Sequence, residues 1–272
     1  MVKAVSIILM AITFFGCNRH LLTENELKSK KECVNIAKAL ENPKDVYRLN
    51  LHMPDSLSKD ILKLKRLNEL DIFKPDFKSL PKFIGRFRNL QTLIILDANI
   101  NAIPPEICDL EKLKWLRIWK SGLTKLPSQI DKLKNLETLE LFANDIKQLP
   151  QGITRLRQLE KIGLDSNQNL DFYDSFEKLA QLPKLNYLNI NYYPLDTLPR
   201  NISALKNLQT ITLWNNSSGR LNIMDMIEKL STLQKLEKLD LLGNPVDEKL
   251  KSHYVEIIKI QHDRCEVIWN RY

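Results

Sequence analysis

"LQTLIILDANINAIPPEICDLEK" (residues 90–112), "LKWLRIWKSGLTKLPSQIDKLKN" (113–135) and "LETLELFANDIKQLPQGITRLRQ" (136–158) run end to end and align without a gap. In each, branched apolar residues or leucines hold the first, fourth and sixth places, and a Pro-x-x-Ile step follows. The fourth and sixth places are two apart, the spacing that puts side chains on one face of a strand. In the middle copy Leu116 and Ile118 take the inner face, which leaves Trp115, Arg117 and Trp119 on the outer one. The chain has only 4 tryptophans, and this strand turns two of them outward.

Extending the frame LxxLxLxxNxL in both directions finds units starting at Val46, Leu67, Leu90, Leu113, Leu136, Leu159, Leu185, Leu208 and Leu236. Internal repetition at such a period marks a solenoid, in which each unit buries its apolar face only against its neighbours. The nine registered copies, from Val46 to about Val246, resemble the leucine-rich repeat family. That resemblance implies an α/β solenoid with a curved parallel sheet on its concave side and a non-catalytic, protein-binding role.

The ninth place of the unit is a turn position where a side-chain amide can satisfy backbone groups. Asn144, Asn167, Asn216 and Asn244 keep it, whereas Pro54, Pro75, Ala98, Ser121 and Tyr193 do not, so an interrupted asparagine ladder is expected. The units beginning at Leu159 and Leu208 are longer and lack the Leu-Pro step. Phe176, Leu179 and Leu182 in one, and Ile227, Leu230 and Leu233 in the other, predict helices on the convex side.

Open solenoid ends need caps. Residues 21–45 read as a helical N-terminal cap with Cys33, Ile36, Ala37 and Leu40 inward, and 46–246 as the repeats. Residues 247–272 read as a cap of helix plus strand, with Leu250, Tyr254 and Ile257 on the inner helix face, then Cys265, Val267 and Trp269 on one side of a last strand. Cys33 and Cys265 would then sit at opposite ends as buried, unbonded thiols. No CxxC or short pairing suggests a disulfide framework.

The first residues stand apart. Lys3 followed by the apolar run Ala4–Phe15 is too short to span a bilayer as a helix but suits a signal peptide, residues 1–16. The ending "FFGC" resembles a bacterial lipobox, which implies lipidation at Cys17 and a tether over 17–20. The expected location is the bacterial cell envelope, as a lipid-anchored membrane protein, surface-exposed on the outer membrane or facing a periplasmic partner.

Formal net charge is +8, but its distribution argues against nucleic acid. At outward concave positions twelve acidic side chains face seven basic ones, so the lysine and arginine excess lies elsewhere and no basic groove exists. Those acids, Glu137 and Glu140 among them, read as a hydrophilic rim able to steer a basic protein partner. Among them runs an apolar stripe. Phe73, Ile94, Leu96, Trp115, Trp119 and Phe142 fall on neighbouring strands, with Arg117 between the two indoles; Tyr187, Tyr192 and Trp214 form a looser second group. Contiguous exposed aromatics mark binding hot spots, although such ladders also pack on themselves. No phosphate loop, nucleophile elbow or metal-ligand spacing occurs. Neither an enzyme nor a cofactor, metal or small-molecule substrate is expected.

Overall fold

The computed structural model describes residues 26, 29–195, 197–216, 222–244 and 248–269. Eleven strands form one parallel sheet whose spatial order follows the chain order throughout. The nine repeat units supply β2 (Arg48–His52), β3 (Glu69–Phe73), β4 (Thr92–Leu96), β5 (Trp115–Trp119), β6 (Thr138–Glu140), β7 (Lys161–Gly163), β8 (Tyr187–Asn189), β9 (Thr210–Thr212) and β10 (Lys238–Asp240). The two caps add one strand each, β1 (Glu32–Cys33) and β11 (Glu266–Ile268). A leucine-rich-repeat solenoid is therefore the observed architecture.

The repeat frame explains each unit. Leu113, Leu116 and Ile118 are fully buried, as are their equivalents Leu90, Leu93 and Ile95 one unit earlier. After each strand the chain reverses through a residue with positive φ at the eighth place: Met53, Lys74, Asp97, Lys120, Ala143, Ser166, Tyr192, Asn215 and Gly243. Only one of these nine is glycine, although the left-handed region costs other residues roughly 1 kcal/mol or more each. Neighbouring units secure the turn, as in Lys120 N–H donating to Phe142 O at 2.9 Å. The Pro-x-x-Ile step then closes a tight helical turn, Ile153 N–H donating to Pro150 O at 3.0 Å.

The longer units make the predicted helices, here α2 (Phe172–Leu179) and α3 (Ile223–Leu230), following α1 (Ile36–Glu41) of the N-terminal cap. Asp171 and Asn222 cap them, each accepting from a backbone N–H three residues on at 3.0 Å. Phe176, Leu179, Leu182, Ile227, Leu230 and Leu233 are all buried. Both helices are fastened alike to an earlier turn: Lys178 donates to Asp174 and to Leu149 O, and Lys229 to Asp225 and to Leu198 O, at 2.6–2.7 Å.

The turn ladder is more continuous than its asparagines suggest. Asn144 donates to Ile118 O and Phe142 O and accepts from the N–H groups of Ser121 and Leu123. Tyr193 fills the expected gap: its hydroxyl donates to Leu164 O and accepts from Asn167 N–H at 3.0 Å, and its own N–H donates to Asn216. The extra length of the preceding unit makes room for this larger residue, since Phe172 at the start of α2 packs edge-on against its ring, centroids 4.7 Å apart.

The caps differ in detail from the sequence reading. The N-terminal one includes a strand just before α1, and the inward alanine is Ala39; Ala37 is exposed. Asn35 sets this phase by capping at the helix start, accepting from Ala37 N–H at 2.8 Å. In the C-terminal cap helix, α4 (Glu248–Gln261), Tyr254 and Ile258 are buried, Ile257 is half-buried and Leu250 is 41% exposed. Cys33, on the outermost strand, is half-buried rather than buried, and the thiols of Cys33, Cys108 and Cys265 are free.

Candidate protein-binding face

Register turns the repeat frame into rows across the concave sheet. The third places align as Arg48, Glu69, Thr92, Trp115 and Thr138, the fifth as Asn50, Asp71, Ile94, Arg117 and Glu140, and the seventh as His52, Phe73, Leu96 and Trp119. Adjacent strands lie about 4.8 Å apart, so residues in one row touch sideways while Trp115 and Trp119, four apart along β5, stand about 13 Å apart. The row logic also pairs the charges. Arg48 meets Glu69 at 2.8 Å, Lys114 meets Glu137 at 2.6 Å, and Asp97 lies between Lys74 at 3.4 Å and Lys120 at 3.2 Å.

The centre of the face departs from expectation. Arg117 and Glu140 are not exposed rim residues; their side chains are only 8% and 2% accessible, and Arg117 Nε donates to Glu140 Oε2 at 2.5 Å. Trp115 Nε1 donates to the same oxygen at 2.8 Å, and the guanidinium lies 4.9 Å from the Trp115 ring and 5.9 Å from that of Phe142. Trp115 and Phe142 thus roof a buried ion pair, which shields it from water and makes it far more sensitive to loss of either partner than a surface pair. The cue was in the sequence: opposite charges at the same place of consecutive units, one repeat apart. A face-by-face reading of single units hides it.

The remaining candidates separate into a stripe and three residues beyond it. Phe73, Leu96 and Trp119 occupy the seventh row side by side and remain half-buried, with Ile94 beside them in the fifth. His52 extends the row, its ring 5.2 Å from Phe73. Trp214 is half-buried but is separated from Phe142 in its row by Asp165 and Asn191; Tyr187 is in the third row, and Tyr192, 49% exposed, occupies the positive-φ turn. These three lie apart from the first patch, and Tyr192 N–H donates to Trp214 O at 2.8 Å.

Two carboxylates on this face are strongly perturbed. Burial pushes Asp71 up to about 8, with nearby Glu69 adding to the shift and Arg48 opposing it. Burial likewise pushes Asp165 up to about 7 against hydrogen bonds from Asn191. Among the described residues no group of three histidines, cysteines or carboxylates is placed to hold a metal ion.

A family model described as a leucine-rich repeat region matches residues 106–253. No curated protein sequence matches the chain. Among solved structures, a leucine-rich repeat protein of Leptospira interrogans aligns at 24% identity and a TM-score of 0.60, over 89% of this chain and 71% of that one. Two internalins of Listeria monocytogenes, inlF and inlC2, align at TM-scores of 0.49 and 0.47, with 15% and 24% identity. The inlF match covers 98% of this chain and 75% of that one, the inlC2 match 62% and 69%. With nine units in register and the family model spanning more than half of the sequence, the chain belongs to the leucine-rich repeat family.

Proposed function

We propose that this solenoid is a non-catalytic protein-binding module that captures a protein partner on its concave face, held to the bacterial cell envelope by lipid at Cys17. The observation that carries the reading is the in-register stripe Phe73–Leu96–Trp119, three large apolar side chains on adjacent strands that stay partly open to solvent. A preformed apolar strip on a rigid sheet loses little conformational entropy on binding. The leucine-rich repeat fold commonly serves protein interaction, which agrees with this use. Cys17 and the leader before it lie outside the described residues, so the anchor rests on the "FFGC" signal alone.

The test is capture from cell and host extracts with soluble residues 18–272 beside a Phe73→Ala, Trp119→Ala variant of equal melting temperature. Partner retention by the first and loss by the second is expected; equal retention by both would remove the stripe from recognition. Trp115 is a poor probe because it supports the buried ion pair. For the anchor, Cys17→Ala is expected to move the protein from the membrane to the soluble fraction and to abolish labelling by a radioactive fatty acid.

A further inference from the structure

Lysine and arginine gather on one flank of the solenoid, where the chain leaves the convex side and turns into each strand. The last place but one of successive units holds Lys65, Arg88, Glu111, Lys134, Arg157 and Lys206. Two residues earlier stand Lys63, Arg86, Asp109, Lys132 and Arg155, and the last place holds Arg66, Lys112, Lys184 and Lys235 among neutral amides. Thirteen basic residues thus meet two acidic ones, and all thirteen are exposed. One backbone device aims the first two rows, an inverse γ-turn centred on the buried residue between them. At Phe87 φ is −77° and ψ 77°, and at Leu133 they are −75° and 62°. Arg88 N–H closes one such turn on Arg86 O at 2.9 Å, and Lys134 N–H another on Lys132 O at 2.8 Å. Asparagines in the last place fasten the ridge from unit to unit: Asn89 Nδ2 donates to Lys65 O at 2.8 Å and Asn135 Nδ2 to Glu111 O at 2.7 Å.

Little of this charge is offset. Arg88 meets Glu111 at 3.6 Å and Lys132 meets Asp109 at 3.7 Å, both in the open, while Lys112, Lys184 and Lys235 donate to neutral amide oxygens. Lys65, Arg86, Lys134, Arg157 and Lys206 enter no ion pair among the described residues. The opposite flank is mixed, with Asp55, Asp76 and Asp145 balancing Lys78, Lys125 and Lys147. The start of the chain comes to the basic side. β1 runs parallel to β2, so the residues before Glu32 enter from that flank, and Lys30 Nζ lies 5.1 Å from the centre of the Tyr47 ring, whose hydroxyl accepts from Arg66 at 3.0 Å. The chain between Cys17 and Glu32 spans at most about 50 Å. We infer that the basic flank docks on the anionic headgroups of the membrane that holds the anchor, laying the solenoid on its side with the concave face open. The choice of a lipid surface rests on the proposed anchor at Cys17; the charge of the flank does not. A curved array meets a flat surface along its length only on a flank, because its concave and convex faces bend away from any plane. Each lysine or arginine near an anionic surface adds about fivefold in affinity. Salt screens that attraction, so the flank orients a molecule that the lipid retains.

The probe is a set of phosphatidylcholine vesicles with and without phosphatidylglycerol, sedimented at low salt with lipid-free residues 18–272. Binding is expected only where phosphatidylglycerol is present, and it should vanish at about 1 M salt, where the screening length is about 3 Å. Lys134→Glu, Arg157→Glu, Lys206→Glu together should weaken it by about a hundredfold. Lys78→Glu, Lys125→Glu, Lys147→Glu remove the same charge from the opposite flank and should weaken it less than about fivefold, since these residues face away from the surface. All six side chains are exposed, and both variants are checked by melting temperature. Equal weakening by the two variants would reduce the attraction to net charge and overturn the flank, as would no binding to the anionic vesicles. Tighter retention on a soluble sulfated polysaccharide than on vesicles of equal charge would overturn the lipid surface and give the flank to a polyanionic chain. If Cys17 takes up no fatty acid but the vesicle results hold, the anchor is lost and the flank stands. If Cys17 is labelled and the vesicles do not bind, the anchor stands and the flank is lost.

Discussion

A single half-buried carboxylate, with Oδ1 shut off from water, shows how residue-scale chemistry sets the behaviour of this face. Asp71 is pushed up to about 8, so the folded chain holds its proton over a range where the unfolded chain has released it. The folded state binds more protons between roughly pH 4 and 8, and stability therefore falls as pH rises through that window. Asp71→Asn is expected to leave stability near pH 4.5 almost unchanged and to raise it at pH 8 by about 1–3 kcal/mol, the cost of one poorly satisfied buried polar group. Urea unfolding at the two pH values measures this; an equal effect at both would mean Asp71 is ionised in the fold. The Arg117–Glu140 pair gives a second test. Arg117→Met or Glu140→Gln alone should cost about 3 kcal/mol by leaving one buried charge unpaired. The double substitution should cost less than the sum, because the orphaned charge is gone. Additive losses would show that the two side chains do not share an ion pair.

At the scale of the repeat unit, the leucines, the strand phase and both long-unit helices were legible because burial enforces them identically in every copy. The turn ladder was only half legible. Asparagine at the ninth place announces itself, but Tyr193 does the same work through a hydroxyl that reaches back to Leu164 O and Asn167 N–H, a bond no local pattern reveals. Tyr193→Phe is expected to lower the melting temperature by roughly 3–6 °C, about 1–2 kcal/mol, because Asn167 N–H is left unpaired while Leu164 O keeps only its bond from Asn167 Nδ2; an unchanged melt would show that solvent replaces the hydroxyl. The column of positive-φ residues was equally silent, since eight residue types occupy it and glycine appears only once. There the strain is imposed by the neighbouring units, so sequence identity carries little of the signal. Gly243 is the exception with a reason: φ is +74°, and a Cβ would stand 2.2 Å from Asn215 Oδ1. Gly243→Ala should destabilise by about 1 kcal/mol or more. Lys120→Gly, in the same turn position without such a contact, should change stability far less, and thermal melts of the two side by side decide it.

Across the whole molecule, the candidate face was legible as a list of outward residues but not as chemistry. Outwardness follows from strand phase within one unit; what the side chains do follows from register between units. Glu140, outward by phase, is buried because Trp115 from the previous strand leans over it and Arg117 bonds to it. The same one-dimensional logic governs stability. Each strand pairs only with its chain neighbours, so the energy of the array is close to a sum of unit and interface terms, and an unprotected end unravels first. The C-terminal cap closes that end with β11 paired to β10 and with Tyr254, Ile258 and Cys265 buried against the last units. His262 adds a ring nitrogen 3.0 Å from Ser231 O, tying α4 to the end of α3. Ending the chain after Asn244 is therefore expected to abolish amide protection in β10 and β9 while β4–β6 keep theirs, as read by native-state hydrogen exchange. A uniform loss of protection across all strands would instead mean that the solenoid unfolds as one cooperative block. The caps would then hold the central binding face together, and not only its ends.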